Sequence, residues 1–426
     1  MDVTVTAWPA CTARLLGDQP GQGRETYPTY LDLGGYRPLA DADELLGEVG
    51  GSGLQGRGGA AFPMAVKLRA VRDNGRSAGG SVVVANGEEG EPASIKDRWL
   101  LRHRPHLILD GLRLAAAIVA ADRAYVYLSD AESASSVEAA LAEHAFGDVA
   151  IELINVAPGY IAGEETAVTR AINGGPVKPT DKPPRPFQKG VGGRPTLVSN
   201  VETLANLPYL QRHGSAEFRS LGTSSSPGTF LVTLTGGGRP PGLYEVPHGL
   251  PFRELLALHD VSPERVQGAL LGGYFAGLLN RSVLEATLDH ETFRGLGSGL
   301  GCGAIALIAD DCPVAVAASV LAYFDRENAG QCGSCFNGTA AMAAVAGALR
   351  DGAATSEDLD RLRRWSVTLR GRGACATLDA ATNVAGTMLD QFPQAVARHL
   401  DNACESCSAN VFRVDRPYEV EAVVYA

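Results

Sequence analysis

Lysine is scarce in this 426-residue chain: Lys67, Lys96, Lys178, Lys182 and Lys189 are the only five among 37 basic residues, the rest being arginine. All five fall between 67 and 189, which singles that stretch out, because a compact ammonium is poorly replaced by a guanidinium fork. Aromatic residues reach only 6 %, and a net charge of −11 excludes a general nucleic-acid-binding surface. Long apolar runs are missing too. Ala115–Ala121 and Val314–Phe324 are the longest, well short of the ~20 residues of a membrane span. The N-terminus lacks the basic and apolar regions of a secretory leader. A cytoplasmic protein with no membrane insertion is expected. Eight cysteines are too few for a disulfide scaffold, and two C-x-x-C pairs point to metal or redox use in a reducing compartment.

What is present is glycine, 51 residues and mostly clustered, on a background of 45 % hydrophobic residues that excludes wholesale disorder. The length predicts roughly two to four domains. Residues 1–50 read as an irregular segment leading into an α/β domain over 51–225. There, apolar strands at Ser81–Ala85, Ala124–Leu128 and Ala150–Val156 alternate with helices at His106–Ala120 and Ser133–His144, the pattern of a doubly wound, largely parallel sheet. A Pro/Gly-rich loop spans 174–196. A small α+β module follows over 226–295, then Ala-rich helices over 296–400 that read as a bundle, and a tail over 401–426 with a strand expected at Tyr418–Tyr425.

Three segments carry chemistry. Gly56-Arg57-Gly58-Gly59 stands just ahead of a helix, where glycine lets the backbone approach a phosphate and the helix N-terminus favours its charge. Asn86, Glu88, Glu89 and Glu91 stand at the carboxyl end of a strand, where open α/β sheets place their ligands. Gly163, Glu164 and Glu165 open a helix. Taken singly, each also fits an ordinary turn or a carboxylate complementing a helix dipole.

Together, GRGGAAFP, NGEEGEPASIKDR, GYIAGEETA, KPPRP, GRPTLVSNVETLANLP and CGSC resemble, in order and spacing over roughly 50 to 400, the NADH-binding FMN flavoprotein subunit of respiratory complex I and its counterparts in NAD-reducing hydrogenases and formate dehydrogenases. The resemblance implies a Rossmann-like FMN domain, a small β-grasp module of the soluble-ligand-binding type, and a helical bundle with an iron–sulfur cluster. It places Gly56, Arg57, Gly58, Gly59 and Lys67 along the FMN phosphate and ring, and Phe62 as a stacking face. Asn86, Glu88, Glu89 and Glu91 fall around flavin and nicotinamide. Gly163, Glu164, Glu165 and Lys182 approach flavin and NADH, and Asn200 and Thr203 the FMN phosphate. No side chain is needed as acid or base in the hydride step, which is the cofactor's chemistry.

The chain departs from the family at identifiable positions. Ala70 and Arg185 stand where aromatics are usual, and each lost stacking face is worth about 0.5–1.5 kcal/mol. Arg185 instead offers a guanidinium to stack or to pair a 2′-phosphate, so NADH, NADPH or neither stays open. Glu88 replaces an aspartate and Ser199 an asparagine. At the cluster, Cys332 and Cys335 are in place and Cys375 matches the distant ligand, but Gly338 replaces the third cysteine. Three thiolates suit a [3Fe–4S] cluster, or a [4Fe–4S] cluster completed by a small ligand or by Asn337, Cys302, Cys404 or Cys407. Loss of the cluster and zinc binding are the alternatives. Cys404 and Cys407 read as a redox pair, a metal clip or incidental thiols, and the histidines show no ligand spacing. The expected function is an FMN-dependent NAD(P)H dehydrogenase passing electrons singly to a ferredoxin-like or other redox protein. The alternatives are a flavoprotein that has lost nicotinamide binding, or a non-catalytic protein of assembly or ligand binding that keeps the fold.

Overall fold

A computed structural model of the chain describes residues 3–17, 23–147 and 149–420. The sequence alternation of strands and helices builds a four-stranded sheet from β2 (Ser81–Asn86), β3 (Ala121–Leu128), β4 (Ala150–Asn155) and β5 (Thr196–Asn200). All pairings are parallel, in the order β4-β3-β2-β5. The chain thus winds outward from β2 in one direction and then returns to β2's other side. That reversal makes the carboxyl ends of β2 and β5 a topological switch point, the place where such sheets bind ligands. Asn86 and Asn200 face each other there in register. Helices cover both faces, as the continuous apolar runs of buried parallel strands require.

A second, six-stranded sheet has the order β1-β7-β6-β10-β8-β9. It comprises β1 (Thr4–Ala7), β6 (Thr229–Gly236), β7 (Gly242–Pro247), β8 (Gly268–Leu271), β9 (Leu278–Asn280) and β10 (Ala304–Ile308). Its core strands alternate faces with period two. Ala304, Ala306 and Ile308 pack into the core of the helical bundle, while Ile305 and Leu307 pack with Phe252, Leu255 and Leu256 on the opposite face.

Two sequence readings are corrected here. The leading segment is not merely irregular, because Thr4–Ala7 pairs in parallel with Gly242–Glu245. A four-residue strand carries too little periodicity to be legible, and its edge position is fixed by a partner far along the chain. Residues 304–308 belong to the sheet rather than the bundle, pairing with both β6 and β8. The bundle itself runs from Pro313 through helices Pro313–Glu327, Gly333–Arg350, Ser356–Thr368, Thr377–Gln391 and Pro393–Leu400. The strand expected over Tyr418–Tyr425 lies for the most part outside the described residues. Among the described residues, no helix is long and apolar enough to cross a membrane.

Candidate functional site

The helix Met64–Ala78 begins with no side-chain cap and no acidic residue in its first turn. Met64 N donates to Leu54 O at 2.9 Å, and the N–H groups that follow have no side-chain cap at this positive helix end, which comes shortly after the Gly56–Gly59 loop in the chain. That loop is held from behind. Arg57 N donates to Thr203 Oγ1 at 2.8 Å, Arg57 Nη2 donates to Thr229 O at 3.1 Å, and Gly56 N donates to Phe62 O at 2.9 Å. Gly58 lies so close to β5's end that a Cβ there would come within 3.2 Å of Asn200 Cβ. Phe62 remains half exposed.

At the end of β2, Asn86 Nδ2 donates to Gly163 O at 2.8 Å, tying the two acidic segments together. Backbones meet so closely that a Cβ on Gly90 would lie 2.4 Å from Gly159 O, and one on Gly163 would lie 2.9 Å from Glu88 O. Glu88 is buried, and its Oε2 has no hydrogen-bond partner. Burial pushes its carboxyl up to about 7, against weaker help from Ser129 and the Gly159 N–H. An orphaned acceptor of this kind, beside a glycine cradle at a switch point, fits a ligand with hydroxyl or amide donors. Ionising Glu88 is thus costly in the folded chain. Its contribution to stability is full below the ordinary carboxylate range and is lost as pH rises through about 7. Urea unfolding of the flavin-free protein is expected to show Glu88→Gln gaining on the parent by a few kcal/mol between pH 5 and pH 8. Parallel pH profiles for the two would contradict that assignment.

Other acidic residues expected around the flavin have their oxygens occupied by the protein. Glu89 accepts from Ser94 Oγ and from the backbone N–H groups of Asp97 and Arg98 at the start of helix Lys96–His103, and it pairs with Arg98. Glu91 is half-buried against the β8–β9 turn, accepting from Tyr274 N at 3.0 Å. These two join domains and cap a helix. Glu164 caps helix Glu165–Ile172 through one oxygen and takes Lys182 Nζ at 2.6 Å on the other. Glu165 then collects Lys182 at 3.5 Å, Arg185 at 3.7 Å and Lys67 at 3.9 Å. Lys67 Nζ also donates to Val198 O, and burial lowers its pKa. Asn200 caps the next helix and donates to Asp97 Oδ2 at 2.6 Å.

In the bundle, Cys332, Cys335 and Cys375 line one pocket with Pro179, Gln331 and Ala374. Cys332 precedes helix Gly333–Arg350, and its Sγ accepts from Ala374 N at 3.4 Å. Cys375 Sγ contacts Thr377 Oγ1 at 3.3 Å. These thiols, two at a helix start and one on a facing turn, suit the donor set of an iron–sulfur cluster. Gly338, at the missing third position, points elsewhere, since a Cβ there would meet Leu369 Cδ1 at 2.8 Å. None of the proposed cysteine substitutes lines this pocket. Cys302 lines a separate cavity beside Arg57, His248 and His290. Cys404 and Cys407 lie with Cys312 and His399, which also corrects the reading of the histidines as having no ligand spacing. The His399-x4-Cys404-x2-Cys407 pattern carried that signal, but it lacked its distant fourth member, Cys312. The Pro-rich loop reaches the thiol pocket: Lys178 Nζ donates to Ala329 O at 2.9 Å and Gln331 Nε2 to Pro179 O at 2.9 Å.

Residues 49–209 match the Nuo51 FMN-binding domain family, and residues 315–399 match the NADH-ubiquinone oxidoreductase-F iron-sulfur binding region. The chain is 33% identical over 398 residues to an F-type subunit of NADH-quinone oxidoreductase from Rhizobium meliloti, covering 88% of this chain and 94% of that one. It is 31% identical to the HndC component of the NADP-reducing hydrogenase of Solidesulfovibrio fructosivorans, over 93% of this chain and 85% of the relative. A crystal structure of NAD+-reducing [NiFe]-hydrogenase in the H2-reduced state superposes with a TM-score of 0.78 at 30% identity, over 88% of this chain and 67% of that one. The cofactors are FMN and a [4Fe–4S] cluster, and the alternative of a non-catalytic protein falls away. This chain belongs to the family of FMN-binding NADH dehydrogenase subunits and is an NADH-oxidising flavoprotein of the NADH:acceptor oxidoreductase type.

Proposed function

We propose that the switch-point cleft binds FMN and the nicotinamide of NADH, and that Cys332, Cys335 and Cys375 ligate three irons of the cluster, leaving the fourth to a non-thiolate ligand. FMN held there would supply the means of taking a hydride from the nicotinamide and passing the electrons on one at a time. The observation that supports this most is the Pro-rich loop. Its Lys182 sits on the acidic pair at the cleft, and its Lys178 and Pro179 dock on the thiol pocket. One segment therefore touches both redox sites.

In this reading the Gly56–Gly59 loop and the uncapped helix end hold the phosphate, and Lys67 supplies a compact positive charge beside it. Glu88 accepts from a hydroxyl or amide of the ligands, and Phe62 excludes water from one ring face. Gly163, Glu164, Thr203 and Asn200 fix the backbone around them. Glu89 and Glu91 hold the acidic loop in place without touching ligand.

NADH rather than NADPH fits the cleft, because Arg185 already faces Glu165, and a 2′-phosphate would have to displace that carboxylate. Arg185→Phe is expected to raise kcat/KM for NADH by about 2- to 10-fold through restored stacking, with NADPH oxidation staying low. A loss of more than about tenfold in NADPH oxidation, without a gain for NADH, would instead make Arg185 a phosphate ligand. The acceptor is a ferredoxin-like or other electron-transfer protein, in keeping with relatives that are themselves components of NADH-quinone oxidoreductase and of a hydrogenase. Phe336, exposed and next to Cys335 in the chain, marks the bundle face where it docks.

A further inference from the structure

A second group of thiols stands apart from the iron–sulfur pocket. Cys312, His399, Cys404 and Cys407 are all buried, and their four ligand atoms lie within 4.8 Å of one another. Cys312 Sγ lies 3.2 Å from His399 Nε2 and 3.8 Å from Cys404 Sγ, and Cys407 Sγ lies 3.7 Å from His399 Nε2. Zn–S bonds of about 2.3 Å and a Zn–N bond of about 2.0 Å, set tetrahedrally, require edges of about 3.8 Å between sulfurs and about 3.5 Å from sulfur to nitrogen. The observed spacings fall around those values. A polynuclear cluster binds each thiolate to a different iron and spreads the sulfurs beyond the edges of a tetrahedron about one ion. Among the described residues, this is the one group of three or more cysteine, histidine or acidic side chains gathered so tightly.

We propose that Cys312, His399, Cys404 and Cys407 form a closed, structural zinc site that fastens the C-terminal segment to the bundle. The surroundings are built for it. The His399 ring lies against the backbone of Leu349 and Arg350 at the end of helix Gly333–Arg350, where a second partner for the ring is at hand. Cys312 stands at the N-terminal end of helix Pro313–Glu327, with its sulfur near the backbone of Val314 and Ala315. Cys404 precedes and Cys407 lies within the first turn of Glu405–Ala409, a helix of five residues that is too short to hold itself together.

Beyond this knot the chain runs back across the molecule. Tyr418 Oη donates to Asp311 Oδ2, next to Cys312, at 2.9 Å. Val420 N donates to Pro92 O at 2.9 Å, and Arg98 Nη2 to Val420 O at 3.1 Å. Pro92 follows Glu91, so the zinc anchors one end of a strap whose other end meets the acidic loop of the flavin domain.

The test is metal analysis of the full chain purified anaerobically from zinc-supplemented cells. About one zinc per chain is expected in addition to iron, with three sulfur neighbours and one nitrogen by X-ray absorption at the zinc edge. Cys407→Ser should lose most of the zinc and keep its iron, whereas Cys332→Ser should lose iron and keep its zinc. If Cys407→Ser does not fold, the wild-type stoichiometry and the zinc-edge spectrum still decide. Wild type with less than about a tenth of a zinc per chain would overturn the proposal. A Cys312–Cys404 or Cys404–Cys407 disulfide found by mass spectrometry, or iron at this site, would do the same. The zinc and disulfide results leave the ligand assignment of the iron–sulfur cluster untouched, and iron content in Cys332→Ser separates that assignment from iron at this site.

Discussion

Replacing Cys332 by serine is expected to strip the iron–sulfur cluster from the bundle while leaving flavin bound. Cys332 stands at the N-terminus of Gly333–Arg350 and receives the Ala374 N–H, while Cys335, one turn on, is buried behind it. With only three thiols in the pocket, no spare cysteine can step in. The hydroxyl of serine is a far weaker iron ligand than thiolate. Iron content should fall to about a tenth or less, and reduction of a protein acceptor should drop on the order of a hundredfold or more. Oxidation of NADH by a small artificial acceptor, which takes electrons at the flavin, should change by no more than about twofold. Unchanged iron in Cys332→Ser would mean that the ligands lie elsewhere.

The second large effect is on stability. Lys96 is fully buried, with Nζ at 2.7 Å from Asp97 Oδ1, 2.9 Å from Glu202 Oε2 and 3.3 Å from Asn200 Oδ1. Glu202 in turn accepts the Leu231 N–H of β6, so the ammonium ties the flavin domain to the second sheet. Those carboxylates hold the Lys96 pKa well up, and burial pushes Asp97 up to about 7. Lys96→Met would leave buried Asp97 without its cation and Glu202 with only Arg57 at 3.9 Å, a loss of about 3–5 kcal/mol in typical cases. Lys96→Arg should not restore it, because the wider fork has no room between Asp97 and Glu202. Denaturant unfolding of both variants at pH 7 measures this, and a loss under about 1 kcal/mol would show that the network relaxes without the lysine.

Much of the flavin half was legible in sequence because its strands are buried on both faces and its motifs are contiguous. Glycine loop, acidic turn and strand end are each local, and the parallel order brings Asn86 beside Asn200 as alternation implies. The scarcity of lysine was legible too. Lys67, Lys96 and Lys182 hold sites where a compact cation sits among carboxylates or carbonyls, and Lys178 docks a loop. What stayed hidden was set by long-range contact. Glu89 and Glu91 have the residue type and neighbourhood of ligand carboxylates, and only the fold reveals that backbone N–H groups take their oxygens. Thr4–Ala7 is a strand only because β7 offers an edge. Cys312 joins His399 across 87 residues, and with it Cys404 and Cys407, a spacing that no local pattern announces.

The central claim is that this one chain oxidises NADH at a flavin and holds the next electron carrier in its own bundle. Anaerobic titration of the purified, cofactor-loaded protein with NADH, followed by visible absorbance and electron paramagnetic resonance, tests it directly. Bleaching of the flavin together with a reduced-cluster signal is expected, with uptake of about three electron equivalents per chain, against about two in Cys332→Ser. A flavin that NADH leaves oxidised, or identical electron uptake in parent and variant, would contradict it.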